Sequence, residues 1–163
     1  MNVLPDLLLA AWQRLVAALE SLQPLALLAA RLYVAQAFFF AGLTKLRDWE
    51  TTLALFENEY AVPLLPAPVA AVMGTTGELV LPVLLVLGLA GRFSALGLTV
   101  INAVAVISLM EIAPAAAQQH LLWGSLLAMV VLWGPGRWSG DVWLARRGMV
   151  AMDGRGKPLS LVA

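Results

Sequence analysis

Residues 73–92, which read MGTTGELVLPVLLVLGLAGR, decide the fold of this chain. The stretch has the roughly 20 mostly apolar residues that a transmembrane helix needs. Glu78 and Pro82 interrupt it, although a carboxylate and a proline both disfavour a helix in lipid. An ionisable residue inside a span is costly, so Glu78 predicts either a function or a defined partner.

The composition of the whole chain indicates a membrane protein. Its 163 residues are 61% apolar and 12% charged, whereas soluble domains average about 45–50% and about 25%. So few polar side chains cannot cover a globule, and the lipid bilayer is therefore an expected partner. The formal net charge is zero, which gives no indication of nucleic-acid binding. The chain has no Cys and one His, so we expect no thiol chemistry and no metal site.

Hydropathy and length predict an all-α fold, namely an integral membrane four-helix bundle. Short connections separate the later spans, which makes sequential helices antiparallel neighbours. The four predicted spans are residues 24–43, 67–89, 93–112 and 118–133.

The segments that flank the spans divide the chain into three regions. Residues 1–23 have apolar positions at helical spacing and are interpreted as an amphipathic helix in the membrane interface. Packing of this helix on a partner is the alternative. Residues 24–134 form the bundle, and residues 135–163 are predicted to be a cytoplasmic tail.

Basic residues predict the orientation. Cytoplasmic loops carry the excess of Lys and Arg, so both termini are predicted to be cytoplasmic and the chain to be a multi-pass protein of the inner (plasma) membrane. Residues 45–66 then face outward, and TTLALFENEY at residues 51–60 is predicted to form a short helix on the membrane surface. The cytoplasmic side has Arg14, Arg92, Arg137, Arg146, Arg147, Arg155 and Lys157, and the outer side has Lys45 and Arg47.

Arg31, Glu78 and Asn102 fall inside three different spans, each on the small-residue face of its helix. We therefore predict that Arg31 pairs with Glu78 and that Asn102 donates to the carboxylate. Pro82 removes the hydrogen bond to the carbonyl of Glu78, which leaves a backbone acceptor at the same level. Two interpretations stay open: a structural layer that aligns the helices, or a ligand or proton-transfer site.

Lys45, Glu111 and His120 form a second candidate cluster, at the outer ends of the spans. A free imidazole titrates near neutral pH, so His120 is a candidate for the proton donor that a quinone-linked reaction needs. A solvated histidine without a function is the alternative.

Three motifs in order resemble the DoxX family. They are RLYVAQAFFFAGLTKLRDW at residues 31–49, TGELVLPVLLVLGLAGR at 76–92 and GPGRWSGDVWL at 134–144, with Gly140 where the family commonly has Leu. The resemblance implies a small four-helix membrane protein linked to quinone-dependent oxidation of reduced sulfur and to redox partners. The motif positions are Arg31, Gly42, Lys45, Glu78, Arg92, Gly134, Gly136, Arg137, Ser139 and Asp141.

Two functions from different classes follow. In the first, the chain is a subunit of a membrane redox complex and binds quinone beside the Arg31–Glu78 pair. The chain shows no redox centre of its own, so whether it is itself an enzyme stays open. In the alternative, it is a non-enzymatic anchor or assembly factor for a partner protein or a second copy, and its buried charges are structural. A small transporter or channel is a third hypothesis, for which four spans without evident inverted repeats are few.

Overall fold

The computed structural model describes residues 3–109 and 111–147, and this part of the chain is helical. It contains an isolated antiparallel bridge between Tyr60 and Leu109 and no β-strand. Residues 148–163, most of the predicted tail, lie outside the described residues. The helices are α1 Val3–Arg47, α2 Trp49–Asn58, α3 Ala67–Leu87, α4 Gly91–Ser108, α5 Pro114–Trp133 and α6 Gly140–Arg146.

Within the described ranges, α1, α3, α4 and α5 are long and apolar enough to cross a membrane. The helix α1 packs on α3 and α5, while α4 packs on both α3 and α5. This arrangement confirms the predicted all-α membrane bundle, and the exposed apolar side chains on its outside suit a lipid environment. The buried core consists of Val34, Ala35, Phe38, Leu85, Ala95, Leu98, Leu127 and Val130.

One continuous helix, α1, takes the place of the separate interfacial helix and first span. It has 45 residues with Pro24 inside it, and a helix of that length is roughly 68 Å long. Pro24 removes a single hydrogen bond, to the carbonyl of Glu20, while the bonds on either side continue the helix. The predicted boundary between residues 23 and 24 is therefore not a helix end. That residues 3–23 lie in the membrane interface stays a prediction.

The predicted short helix of the outer segment is confirmed as α2. Asp48 caps its start and accepts from the Thr51 backbone N at 3.0 Å and from the Thr51 hydroxyl at 2.7 Å. Both hydrogen bonds lower the pKa of Asp48, and the bond from the Thr51 hydroxyl has the larger effect. Beyond α2, the N–H of Ala61 donates to the carbonyl of Ser108 at 2.9 Å. The outer segment is thereby held against the end of α4.

The closing motif lies at the end of the bundle where α3 ends and α4 begins, which is termed the inner end after the predicted orientation, although all of the motif except Gly134 falls in the predicted tail. Asp141 accepts from the backbone N of Ala90 at 2.8 Å and of Gly91 at 3.0 Å. Its own backbone N donates to the carbonyl of Gly88 at 3.0 Å. The first N–H groups of a helix need acceptors from outside the helix, and α4 has no side-chain cap at its own N-cap residue. Asp141 supplies that acceptor where the chain folds back, with a charge that suits a helix N-terminus.

We predict that Gly88→Ala destabilises the bundle by about 1–3 kcal/mol, because the alanine would strain the left-handed backbone and its Cβ would crowd neighbouring atoms. Gly88 ends α3 at φ +65°, and a Cβ there would meet Arg31 Nη1 and lie 2.5 Å from Ser139 Cβ. Thermal and denaturant unfolding of the purified protein in one detergent measures the change.

Gly74→Ala is the matched control in the same helix. A Cβ at Gly74 meets only Phe56 Cζ at 3.7 Å, an ordinary contact. The alanine should therefore leave stability unchanged or raise it by roughly 0.5–1 kcal/mol. Equal unfolding midpoints for the two variants would contradict the assignment of Gly88 to a strained, crowded turn.

Candidate functional site

Glu78 is paired with Lys45, which extends from the last turn of α1. Lys45 Nζ lies 2.5 Å from Glu78 Oε2, and the two side chains are 22% and 10% exposed. Gly42 makes this contact possible, since a Cβ there would lie 2.9 Å from Leu79 Cγ and 3.1 Å from Glu78 Cβ. The small residue lets α3 approach α1 closely, and Lys45, nearly one turn further, then reaches the carboxylate.

The predicted Arg31–Glu78 pair is wrong, because Arg31 lies at the other end of the bundle. Its side chain is fully buried; Nη2 donates to the carbonyl of Trp138 at 2.7 Å and Nη1 to that of Leu85 at 3.4 Å. Leu85 follows Glu78 by seven residues, which is about 10 Å along α3. In this antiparallel register Lys45 meets Glu78, whereas Arg31 meets the C-terminal end of α3, where a cation is favourable.

Asn102 holds His120 and does not donate to Glu78 as expected. Its Nδ2 donates to the backbone carbonyl of His120 at 3.0 Å, and its Oδ1 lies 2.8 Å from His120 Nδ1. A carbonyl can only accept, so the amide nitrogen must face it and the amide oxygen must face the ring. Nδ1 therefore carries a hydrogen, and in the neutral ring Nε2 is left as an acceptor. The ring also packs edge-to-face on Trp123, with centroids 5.0 Å apart.

A partly open cavity of about 650 Å³ lies between α1, α3, α4 and α5, under the segment that follows α2. Its volume is in the range of small-molecule sites, as is its combination of apolar walls with a few polar groups. The apolar walls include Phe38, Met73, Leu81, Val100, Ile101 and Val104, and the polar or amphipathic side chains are Lys45, Tyr60, Glu78, Ser108, His120 and Trp123.

Two hydrogen-bond donors in the cavity wall are buried without a partner in the described part of the chain. They are the Ser108 hydroxyl and the Trp123 indole N–H. A buried donor that makes no hydrogen bond costs about 1–3 kcal/mol, so each requires an explanation. The Tyr60 hydroxyl is a third donor in the wall, and the pKa of Tyr60 is raised by burial first and then by the charges of Glu59 and Glu78. Its phenol is therefore protonated at neutral pH, and the cavity favours a molecule that offers acceptors.

The sequence model of the DoxX family matches residues 26–111. The chain belongs to the DoxX family. Comparison with curated proteins and with solved structures gave no match. The matched region contains Lys45, Glu78 and Ser108, so one side of the cavity is built from the family's own segment. His120 and Trp123 lie beyond it, on α5.

The structure of this DoxX protein brings together only part of the predicted site. Lys45, Glu78 and His120 line one cavity, and Asn102 orients His120 from behind. Arg31 lies at the inner end of the bundle, and Glu111 is exposed on the connection between α4 and α5. Neither of the two lines the cavity. The functional roles of all six residues stay predictions.

Sequence reasoning missed three cavity residues: Tyr60, Ser108 and Trp123. Trp123 lies near the end of a span, where aromatic residues usually act as interfacial anchors. Ser108 is an isolated hydroxyl near the end of a span, and such residues commonly bond to their own helix backbone. Only the buried, unpartnered state of both donors separates them from those ordinary roles.

We predict that Lys45→Met and Glu78→Gln are coupled in stability, whereas Arg31→Met and Glu78→Gln are additive. Residues in direct contact typically show interaction energies of about 0.5–3 kcal/mol, and distant ones add within about 0.5 kcal/mol. Two double-mutant cycles, measured by unfolding in the same detergent, test this. Coupling of Glu78 to Arg31 and not to Lys45 would contradict the observed register of α1 against α3.

Proposed function

We propose that this DoxX protein is the membrane subunit of a redox complex and that it binds a quinone in the cavity beside Lys45 and Glu78. The observation that supports this best is the pair of buried donors, Ser108 and Trp123, in a cavity with mostly apolar walls. A quinone headgroup is a flat apolar ring whose carbonyl oxygens only accept hydrogen bonds. Its chemistry therefore fits a site that is rich in donors.

The roles of the polar residues follow from this proposal. Lys45 is the strongest donor, because an ammonium group donates charge-assisted hydrogen bonds. Glu78 compensates the positive charge of Lys45. A bound quinone supplies two-electron chemistry, in which reduction takes up two electrons and two protons. His120 is the residue suited to move a proton, since Asn102 orients the ring and leaves Nε2 unoccupied by that contact. A partner protein that carries the redox centre supplies the electrons.

Quinone binding is tested by affinity for decylubiquinone, measured by equilibrium dialysis with the full chain in lipid nanodiscs. Ser108→Ala should weaken binding by about 2–10-fold, the equivalent of one neutral hydrogen bond. Lys45→Met should weaken it by about 10–100-fold, as expected for a charged donor.

Gln119→Leu is the control for this measurement. Gln119 donates to the Tyr33 hydroxyl at 2.8 Å and does not line the cavity, so the variant should bind as the parent chain does. A parent chain without saturable binding, or equal affinities for all the variants, would contradict the quinone proposal.

A non-enzymatic anchor or assembly factor is the second candidate function. The contacts of Arg31 favour it, since Nη1 and Nη2 donate to backbone carbonyls at the inner end and so join two parts of the bundle. Trp138 and Trp143 are exposed beside them, with Arg147 stacked on the Trp143 ring at 3.8 Å. This aromatic and basic surface suits a membrane interface or a partner protein. In that function, Ser108→Ala and Lys45→Met would leave recovery of the partner unchanged.

The proposed orientation places the cavity in the outer half of the plasma membrane, with both termini in the cytoplasm. The absence of Cys in the chain allows a direct test with single cysteines at Glu57 and Arg137, which are both exposed. A membrane-impermeant maleimide added to intact cells should label Glu57→Cys. It should label Arg137→Cys only after permeabilisation, and the reverse pattern would contradict the orientation.

A further inference from the structure

We infer that the cavity exchanges its ligand sideways with the bilayer, through an opening between α3 and α4. It therefore takes an amphipathic molecule with one oxygen-bearing head and a hydrocarbon chain that stays in lipid. This inference rests on the proposed function and specifies the ligand class and its route. It follows from the closed inner and outer ends of the cavity and from the open side between α3 and α4.

The inner side of the cavity is closed by the packed core. Leu85, Leu98 and Leu127 have no exposed surface and come from three different helices. Arg31 fills the space beyond them, where it donates to the carbonyl of Trp138. A ligand therefore has no route to the cavity from the inner end of the bundle.

The outer side is covered by α2 and the segment that follows it. Phe56 and Tyr60 line the cavity there, and their rings pack edge-to-face with centroids 5.0 Å apart. The bridge between Tyr60 and Leu109 and the hydrogen bond from Ala61 to Ser108 tie this cover to the end of α4. Direct access from the outer aqueous phase would require these contacts to break.

The side between α3 and α4 is open. Met73 on α3 and Val100 on α4 both line the cavity, yet they are 58% and 61% exposed. Val100 is nine residues from Gly91 and eight from Ser108, so it lies about 12–14 Å from either end of α4. At that depth the surroundings are hydrocarbon. The opening therefore leads into lipid.

Two glycines, one on α3 and one on α4, let these helices pack closely around a hydrocarbon chain that passes through the opening. A Cβ at Gly77 would lie 2.5 Å from Ile101 Cδ1, and a Cβ at Gly97 would lie 2.6 Å from Leu81 Cδ1. Each glycine thus holds the end of a flexible side chain from the facing helix. A change of rotamer in Leu81 or Ile101 alters the width of the opening without moving the backbone.

Photolabelling tests the route. The full chain in lipid nanodiscs is irradiated with a decyl-chain quinone that carries a diazirine at the end of its chain, and the adducts are mapped by mass spectrometry. We expect adducts on Met73 and Val100, and we expect excess decylubiquinone to suppress them.

The outcomes separate this inference from the function on which it rests. The lateral route would be overturned, while quinone binding stands, by competable adducts on residues that do not line the cavity. These are the lipid-facing Phe40 of α1 and Leu121 of α5, and the exposed Leu64 of the cover. Labelling that decylubiquinone does not suppress would overturn both.

A pair of variants gives an independent readout. Val100→Trp narrows the opening and should slow association of decylubiquinone by about tenfold, because a ligand enters more slowly through a narrower opening. Ile107→Trp is the control, because Ile107 lies on the same helix, is 63% exposed and does not line the cavity. Equal association rates for the two variants would overturn the inference.

Discussion

The ion pair between Lys45 and Glu78 sets the register of α1 against α3, and the positions of the other polar groups follow from it. A charge inside the bilayer must find a partner, and Gly42 brings the backbones close enough for that partner to be Lys45. Once these two helices are aligned, Arg31 necessarily falls at the opposite end of α3. The bundle therefore has two polar layers, as the sequence suggested, but Glu78 pairs with Lys45 and Asn102 with His120, so both belong to the outer layer and not to that of Arg31.

The two layers differ in what surrounds them. At the inner end, Arg31 donates to backbone carbonyls and Asp141 caps α4, so these groups satisfy the ends of helices and the turn between them. At the outer end, Lys45, Glu78 and His120 face a cavity whose wall also contains Ser108 and Trp123. The inner layer has the contacts of a structural joint, and the outer layer has those of a binding site.

Pro82 has a smaller effect than its place in the sequence suggests. It is buried inside α3, which continues without interruption from Ala67 to Leu87. Helix-breaking residues are tolerated in membrane helices where neighbouring groups satisfy the backbone.

The sequence by itself determined the membrane class, the four spans and the short outer helix, because length and hydropathy are local properties of each segment. It could not determine which cation meets Glu78, since Arg31 and Lys45 share one face of the same helix. That choice depends on the axial register of two rigid helices, a shift of roughly 21 Å between the two positions. The cavity likewise required the tertiary structure, because Ser108, His120 and Trp123 become neighbours only when α4 packs against α5.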